Sequence, residues 1–233
     1  MKLDFKTTKT FFDLPPNTIY LDGNSLGPPT KATSKKVSNF IERKWAKLLI
    51  KGWNDDNWIN KPKSVGNKIA KLIGAEKGSV IVGDTLSIKT YQALFAALQL
   101  RPKRKIILSE RENFPSDLYI AQGIVAVIKK NYKLQTVQTT NILDSLSNDV
   151  AVLLLTEVDF RTGRKHDMRR ITDIAKKFGI ITIWDLAHSV GVIPIHLKKL
   201  NVDFAVGCTY KYLNGGPGSP AFLYVAPEHQ DRV

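Results

Sequence analysis

Short apolar runs alternate with amphipathic stretches from residue 79 onwards. The runs at 79–82, 105–108, 150–155, 180–183, 204–208 and 221–225 are rich in β-branched and aromatic residues and are bounded by turn residues, which predicts buried strands. Helical spacing fills several of the intervals, through Leu94 and Leu98, from about Phe114, and through Ile171 and Ala175. Repeated strand–helix units predict an α/β fold whose mostly parallel sheet is covered by helices.

The first 75 residues follow a different pattern. Residues 14–29 are rich in proline, glycine and asparagine, which excludes a helix there. Thr30 is the expected N-cap of a helix with one apolar face that ends at Gly52, and a second helix over residues 64–73 stops at Gly74. We therefore predict an amino-terminal segment of arm and helices over residues 1–75, outside the strand–helix alternation, and an α/β domain over residues 76–233.

The composition narrows the possible classes of protein. With 43% hydrophobic residues, the 233-residue chain has enough apolar side chains for a sizeable core. The first six residues lack a signal-peptide core, and the longest apolar runs are too short to span a membrane, so we expect a cytoplasmic protein. The single cysteine, Cys208, lies in a predicted strand, where a buried small hydrophobe is a better interpretation than a nucleophile.

The formal net charge of +14 suggests nucleic-acid binding at first sight. However, the lysines are spread along the chain, in clusters such as Lys35-Lys36, Lys129-Lys130 and Lys176-Lys177, and no basic run with interleaved aromatic residues occurs. A lysine-rich proteome or an anionic substrate explains the charge equally well. We therefore expect neither a nucleic-acid partner nor a membrane partner.

Two polar segments follow neighbouring predicted strands. Asp185 and His188 come after the run at 180–183, and Tyr210 and Lys211 come after the run at 204–208. Ligands of parallel α/β sheets bind beyond the carboxyl ends of the strands, so these side chains are expected at one sheet edge. Alone, such a lysine is usually a solvated loop residue and such an aspartate a helix cap. Together they are the two groups that pyridoxal phosphate requires, a lysine for a Schiff base and a carboxylate for the pyridine nitrogen.

Other segments fit the remaining parts of that cofactor. Thr85 and Ser87 lie between the first strand and its helix, where hydroxyl and backbone N–H groups bind phosphate, although a simple helix cap is an equal alternative. Phe114, after the next strand, is placed either to stack on the cofactor ring or to act as a hydrophobic staple. The glycines at 215, 216 and 218 allow close backbone approach or make a tight bend.

At these motifs the chain resembles kynureninase, a hydrolase of the fold-type-I aminotransferase superfamily. The matching stretches are residues 20–27, 113–119, 184–189 and 208–218. The resemblance implies pyridoxal 5′-phosphate as cofactor, no metal, and cleavage of L-kynurenine or 3-hydroxykynurenine to anthranilate or 3-hydroxyanthranilate and L-alanine in tryptophan catabolism. It also implies roles by position: Lys211 as Schiff-base lysine, Asp185 as partner of the pyridine nitrogen, and Tyr210 as phosphate contact and proton relay. The implied cofactor shell is completed by Leu86, Ser87, Phe114, Pro115, Ser116, Asp117, Thr156 and His188.

The resemblance also implies a homodimer with active sites at the interface. Members of the family continue beyond the point that corresponds to Val233, with an arginine for the substrate carboxylate among the further residues. A shortened chain that binds only cofactor or a partner, without catalysis, is therefore the alternative. A cysteine desulfurase of the same superfamily is a further alternative, but such enzymes use a mobile cysteine, and Cys208 lies in a predicted strand.

Overall fold

A seven-stranded mixed sheet forms the centre of the protein. The structure is a computed structural model that describes residues 4–128 and 131–233; Met1 to Leu3 of the amino-terminal stretch and the pair Lys129-Lys130 lie outside the described residues. The strands are β1 (Val80–Val82), β2 (Ile106–Glu110), β3 (Lys133–Val137), β4 (Val150–Thr156), β5 (Ile181–Asp185), β6 (Phe204–Gly207) and β7 (Phe222–Val225). Their spatial order is β1-β7-β6-β5-β4-β2-β3.

Strands β3, β2, β4, β5 and β6 run parallel, whereas β7 is antiparallel to both β1 and β6. The mostly parallel sheet predicted from the sequence is therefore confirmed. Strand β3 was not predicted, because Lys133–Val137 is an edge strand with no buried residue and a polar sequence. Such a strand lacks the continuous apolar run that marks its neighbours.

Helices cover both faces of the sheet. The α-helices are α1 (Phe5–Lys9), α2 (Lys31–Asn39), α3 (Ala46–Leu48), α4 (Gly52–Asp55), α5 (Lys61–Leu72), α6 (Leu86–Leu100), α7 (Pro115–Ile128) and α8 (Met168–Lys177). Helices α6 and α7 pack with the strand residues Val152 and Leu154, and α5 and α8 pack on the other face with Leu153 and Leu155. Alternate side chains of the fully buried strand β4 thus enter two separate cores, as expected for a central parallel strand.

The amino-terminal helices differ from the prediction at Gly52. The helix that begins at Lys31 continues through a π-helical turn, Phe40–Trp45, and α3 before Leu49 breaks it with φ = 47°. Gly52 instead begins α4, and a Cβ atom there would lie 2.3 Å from the Trp58 ring. The glycine is needed for this packing and not as a helix stop. Gly74, with φ = +60°, does follow α5 as predicted.

Helix α5 contributes Ile69 and Ile73, just after its end, to the core and packs against β1. Helix α2, in contrast, has no buried residue. No helix in the two described ranges is both long and apolar enough to cross a membrane.

Candidate cofactor site

Asp185 and Lys211 meet at the carboxyl edge of the sheet. Asp185 is the last residue of β5, and its side chain continues the row of Ile181 and Ile183, which faces α6. Lys211 lies in the turn that follows the neighbouring strand β6. Both side chains are buried, although each normally carries a charge. Their burial is the first sign of a built site, because an ionisable group removed from water needs a partner or a function.

The Asp185 carboxylate is only partly satisfied by the protein. Its Oδ1 atom accepts a hydrogen bond from the Ala187 backbone N–H at 2.8 Å. Its Oδ2 atom is buried and has no hydrogen-bond partner within the described part of the chain. Burial raises the pKa of Asp185 to about 6, although the Ala187 N–H and the positive charge of Lys211 act in the opposite direction. A cationic N–H group placed beside Oδ2 would satisfy this atom and favour the ionised carboxylate.

The Lys211 amine contacts His188. The distance between Nζ of Lys211 and Nε2 of His188 is 2.5 Å, and the histidine Nδ1 atom is buried without a partner among the residues described. Burial, followed by the charge of Lys211, lowers the pKa of His188 to about 4. The imidazole is therefore neutral at pH 7, and its Nε2 atom forms a hydrogen bond with the lysine amine. This contact holds the amine at a fixed position beside the end of β5.

A cavity of about 240 Å³ opens in front of these groups. It is lined by Asp185, Ala187, His188, Tyr210 and Lys211 from the strand ends, Thr85, Leu86 and Ser87 from the start of α6, and Phe114 and Ser116 from the start of α7. Thr85 is the N-cap of the 15-residue helix α6 and accepts the Ile88 N–H. The cavity thus joins an amine and a carboxylate to a helix N-terminus, which favours an anion.

Aromatic rings form one wall of the cavity. The Phe114 ring lies 5.3 Å from Nζ of Lys211 and has ring-centroid distances of 5.6 Å to His188 and 5.0 Å to Phe160. Phe160 stacks on His188 at 6.0 Å and is 38% exposed. Sequence reasoning missed Phe160, because it lies in a turn between the bridged residues Val158 and Lys165 and carries no motif of its own.

Three of the residues expected in the cofactor shell lie behind or beside the cavity. Asp117 is fully buried and accepts a hydrogen bond from Thr90 at 3.3 Å; burial and the nearby Asp185 raise its pKa well above the usual value. Thr156 donates to the Asn113 side chain at 2.5 Å. Pro115 lines a neighbouring cavity with Phe160 and Arg161. These residues can support the wall, whereas the other predicted residues line the cavity itself.

Burial also raises the pKa values of the Tyr210 phenol and the Cys208 thiol. Burial raises the pKa of Tyr210 to about 12, so its phenol remains a neutral donor at pH 7. Burial also raises the pKa of Cys208 to about 11, and this thiol is only 1% exposed. A thiol that is neither ionised nor accessible is a poor nucleophile, which agrees with the interpretation of Cys208 as a buried hydrophobe.

Comparison with known proteins gives the family. Residues 19–232 match the sequence model of the family Aminotransferase class-V. The chain belongs to the aminotransferase class-V family. It is 45% identical over 224 residues to a kynureninase of Burkholderia pseudomallei strain 1106a, and 44% identical over 227 residues to a kynureninase of Pseudomonas fluorescens. These matches cover 94% and 95% of the chain but 54% and 55% of the relatives, so the chain spans about half the length of the curated relatives it matches.

The class-V fold is also seen in solved structures. A NifS-like protein superposes with a TM-score of 0.75 at 16% identity, over 90% of this chain and 59% of that one. A cysteine desulfurase from Thermococcus onnurineus NA1 superposes with the same score at 22% identity, over 91% and 55%. At these identities the similarity concerns the fold, which confirms the expected fold-type-I architecture. The resemblance to kynureninases is likewise confirmed by the sequence identities.

Class-V aminotransferases depend on pyridoxal phosphate, which confirms the cofactor expected from the sequence. The geometry of the site also suits pyridoxal phosphate, independently of the family comparison. The buried Oδ2 atom of Asp185, which has no hydrogen-bond partner among the described residues, can accept a hydrogen bond from a protonated pyridine ring. The cavity also offers the Lys211 amine for the cofactor carbonyl and the α6 N-terminus for its phosphate.

Proposed function

We propose that this chain carries the cofactor site of a kynureninase, which hydrolyses L-kynurenine or 3-hydroxykynurenine to anthranilate or 3-hydroxyanthranilate and L-alanine. The observation that supports it most strongly is the single cavity that Lys211, Asp185 and the α6 N-terminus share, in a chain 45% identical to a kynureninase. When bound, pyridoxal phosphate draws electrons from the α-carbon of an amino-acid substrate.

The residues of this chain would divide the work as follows. The Lys211 amine would hold the cofactor covalently and afterwards move a proton at the substrate α-carbon. The Asp185 carboxylate would keep the ring nitrogen protonated. The neutral His188 would orient the amine through their 2.5 Å contact. Thr85, Ser87 and the neutral phenol of Tyr210 would donate to the phosphate.

The remaining shell residues would bound the cofactor. Leu86, Phe114 and Ser116 line the cavity and would bind the cofactor directly. Pro115, Asp117 and Thr156 would fix the wall behind them. Pro115 lies between Phe114 and Ser116 in the sequence, the Asp117 N–H donates to the Phe114 carbonyl at 3.0 Å, and Thr156 pairs with Asp185 in the sheet.

The first test is the absorption spectrum of the purified chain with pyridoxal phosphate, before and after addition of L-kynurenine. A visible protein-bound cofactor band, followed by anthranilate fluorescence, is expected. A band without turnover would favour the alternative, a chain that binds the cofactor or a partner without catalysis. Absence of any band would contradict the proposed cofactor site.

Further parts of the proposal concern the whole protein. We propose that the protein is cytoplasmic and that it forms a homodimer. Sedimentation of the cofactor-loaded chain would test the homodimer. We also propose the division into residues 1–75 and 76–233. The proposed boundary separates two stretches of sequence but does not separate two hydrophobic cores, because Ile69 and Ile73 belong to the same core as the strands.

Phe160 is expected to contact the aromatic ring of the substrate. Its half-exposed ring extends the aromatic wall beyond Phe114 and His188. Replacing Phe160 with leucine should raise KM for L-kynurenine about three- to tenfold, because an aromatic pair contributes about 0.5–1.5 kcal/mol beyond its buried area. Steady-state kinetics would measure this, with Phe95→Leu as the control, since Phe95 on α6 is similarly exposed but stacks on Tyr91 and not on a ring that lines the cavity. An equal KM in both variants would contradict the assignment.

A further inference from the structure

The turn at Asp22–Gly27 lies against the loop that carries the catalytic lysine. The Gly27 backbone N–H donates to the Tyr210 carbonyl at 2.9 Å. A Cβ atom on Gly27 would lie 1.9 Å from the Lys211 carbonyl oxygen and 2.4 Å from Oδ1 of Asn214. The two backbones therefore meet on both sides of the bond between residues 210 and 211.

Glycine at position 27 is required for this close approach and not for an unusual backbone conformation. Gly27 does not have the positive φ that favours glycine, so a residue with a side chain could adopt its φ. Any side chain there would force the segments apart by about 1 Å, from 1.9 Å to more than 3.0 Å. Gly23 repeats the arrangement more loosely, with its Cβ position 3.2 Å from the Tyr212 ring.

The Asp22–Gly27 turn is held by its own hydrogen bonds where it contacts residues 209–215, which we call the lysine loop. The Asp22 carbonyl accepts the N–H groups of Ser25 and Leu26 at 3.0 and 3.2 Å, and its carboxylate accepts the Ser25 hydroxyl at 2.7 Å. The Tyr20 hydroxyl donates to the Leu26 carbonyl at 2.7 Å, directly before Gly27. A side chain 60 residues before the first strand of the sheet thus fixes a turn that contacts the lysine loop.

The lysine loop is also internally bonded. The Lys211 carbonyl accepts the Asn214 N–H at 2.9 Å, and the Thr209 carbonyl accepts the Gly215 N–H at 2.8 Å. The loop is therefore a compact unit that would move as a whole if it were pushed. A shift of this unit would carry Lys211 away from His188.

We propose that the Asp22–Gly27 turn is a backbone seat for the lysine loop, and that Gly27 is a positioning residue that holds the Lys211 amine against His188. This inference rests on the proposed function for its catalytic meaning, but the seat itself is a property of the chain without cofactor. The turn belongs to the stretch at residues 20–27 that matched the family motif, and the proposal gives that stretch a physical role.

The test is the reactivity of Lys211 in the full chain without cofactor. The chain is treated with a trace of acetic anhydride over a series of pH values, and mass spectrometry compares acetylation of Lys211 with that of Lys89 in the same molecule. In Gly27→Ala we expect several-fold faster acetylation of Lys211, because the displaced loop exposes its amine. Gly123→Ala is the matched control, since a Cβ atom there meets nothing within 4 Å.

A second variant protects the test against misfolding. Tyr20→Phe removes only the hydroxyl that fixes Leu26 and should change Lys211 acetylation in the same direction by a smaller factor. If Gly27→Ala does not fold, Lys211 acetylation in Tyr20→Phe alone tests the proposal. If Lys211 acetylation is unchanged in every folded variant of Tyr20 and Gly27, the proposal that this turn positions Lys211 is wrong.

Cofactor binding separates this inference from the proposed function. If the wild-type chain retains pyridoxal phosphate after borohydride reduction, Gly27→Ala should lower turnover by about 10²-fold, the effect of a misplacement of about 1 Å, with KM changed far less. If the wild-type chain retains none, the proposed function fails, while the acetylation result still decides on the seat.

Discussion

Replacing Lys211 with alanine is expected to abolish covalent retention of pyridoxal phosphate and to lower turnover by about 10²- to 10⁴-fold. The magnitude is that of losing a positioned proton donor and acceptor, to which the loss of covalent attachment adds. The Lys211 amine is the only lysine nitrogen that lines the cavity with Asp185 in the described structure. Borohydride reduction followed by peptide mass spectrometry would locate the cofactor, and anthranilate fluorescence would measure turnover.

Lys89 provides a matched control for this experiment. It is also a buried lysine, but its amine pairs with Asp84 at 3.0 Å and does not line the cavity. Lys89→Met should keep the reducible cofactor on the wild-type peptide. Borohydride-fixed cofactor that persists in Lys211→Ala, on Lys89 or any other lysine, would remove Lys211 from its proposed role.

The principal pair of site residues could be predicted because the relevant signals are local. Asp185 and Lys211 each follow an apolar strand run within a few residues, and the parallel order of β5 and β6 brings the two strand ends together. The same rule placed Thr85 and Phe114 at the starts of helices after strands. Their cavity is a consequence of strand polarity, which the strand–helix alternation already contains.

The residues that sequence reasoning missed depend on tertiary contacts. Phe160 contacts the cavity residue His188 only because a hairpin-like turn folds it onto that ring, and Thr90 meets Asp117 only because α6 and α7 pack together. Gly27 is one of many glycines in turn-rich sequence, and nothing in its neighbours along the chain shows that its Cβ position is filled by the Lys211 carbonyl. Close approach between distant segments is not encoded in local periodicity.

The two titrating groups beside Lys211 respond to pH in opposite ways when the cofactor is absent. The folded-state pKa of His188 is lowered to about 4 from an ordinary 6.5, so its contribution to stability is lost as the pH falls through this window. The pKa of Asp185 is raised to about 6 from 3.8, so the folded chain binds its proton more tightly than the unfolded chain does. Its contribution to stability is therefore lost as the pH rises from about 4 to about 6.

Asp185→Asn should consequently stabilise the chain without cofactor while it impairs the proposed turnover of kynurenine. Asparagine keeps an oxygen for the Ala187 N–H but removes a buried charge that lacks a full set of partners. We expect the melting temperature at pH 7 to rise by a few degrees, and the gain over wild type to grow between pH 4 and pH 6. Turnover should fall by about 10²-fold, because the ring nitrogen loses a charge-assisted hydrogen bond worth about 3 kcal/mol.

Asp203→Asn is the contrasting control for this stability gain. Asp203 is also a buried carboxylate, but its oxygens accept from the Thr182 backbone N–H and hydroxyl at 2.9 Å and contact His229 at 2.9 Å. Loss of a carboxylate whose two oxygens both have hydrogen-bond partners should lower the melting temperature. Calorimetric melts of both variants from pH 4 to pH 7 would measure the difference. If Asp185→Asn destabilised the cofactor-free chain as Asp203→Asn does, Asp185 would be a structural carboxylate, and its unpaired oxygen would not mark a site kept for a cation.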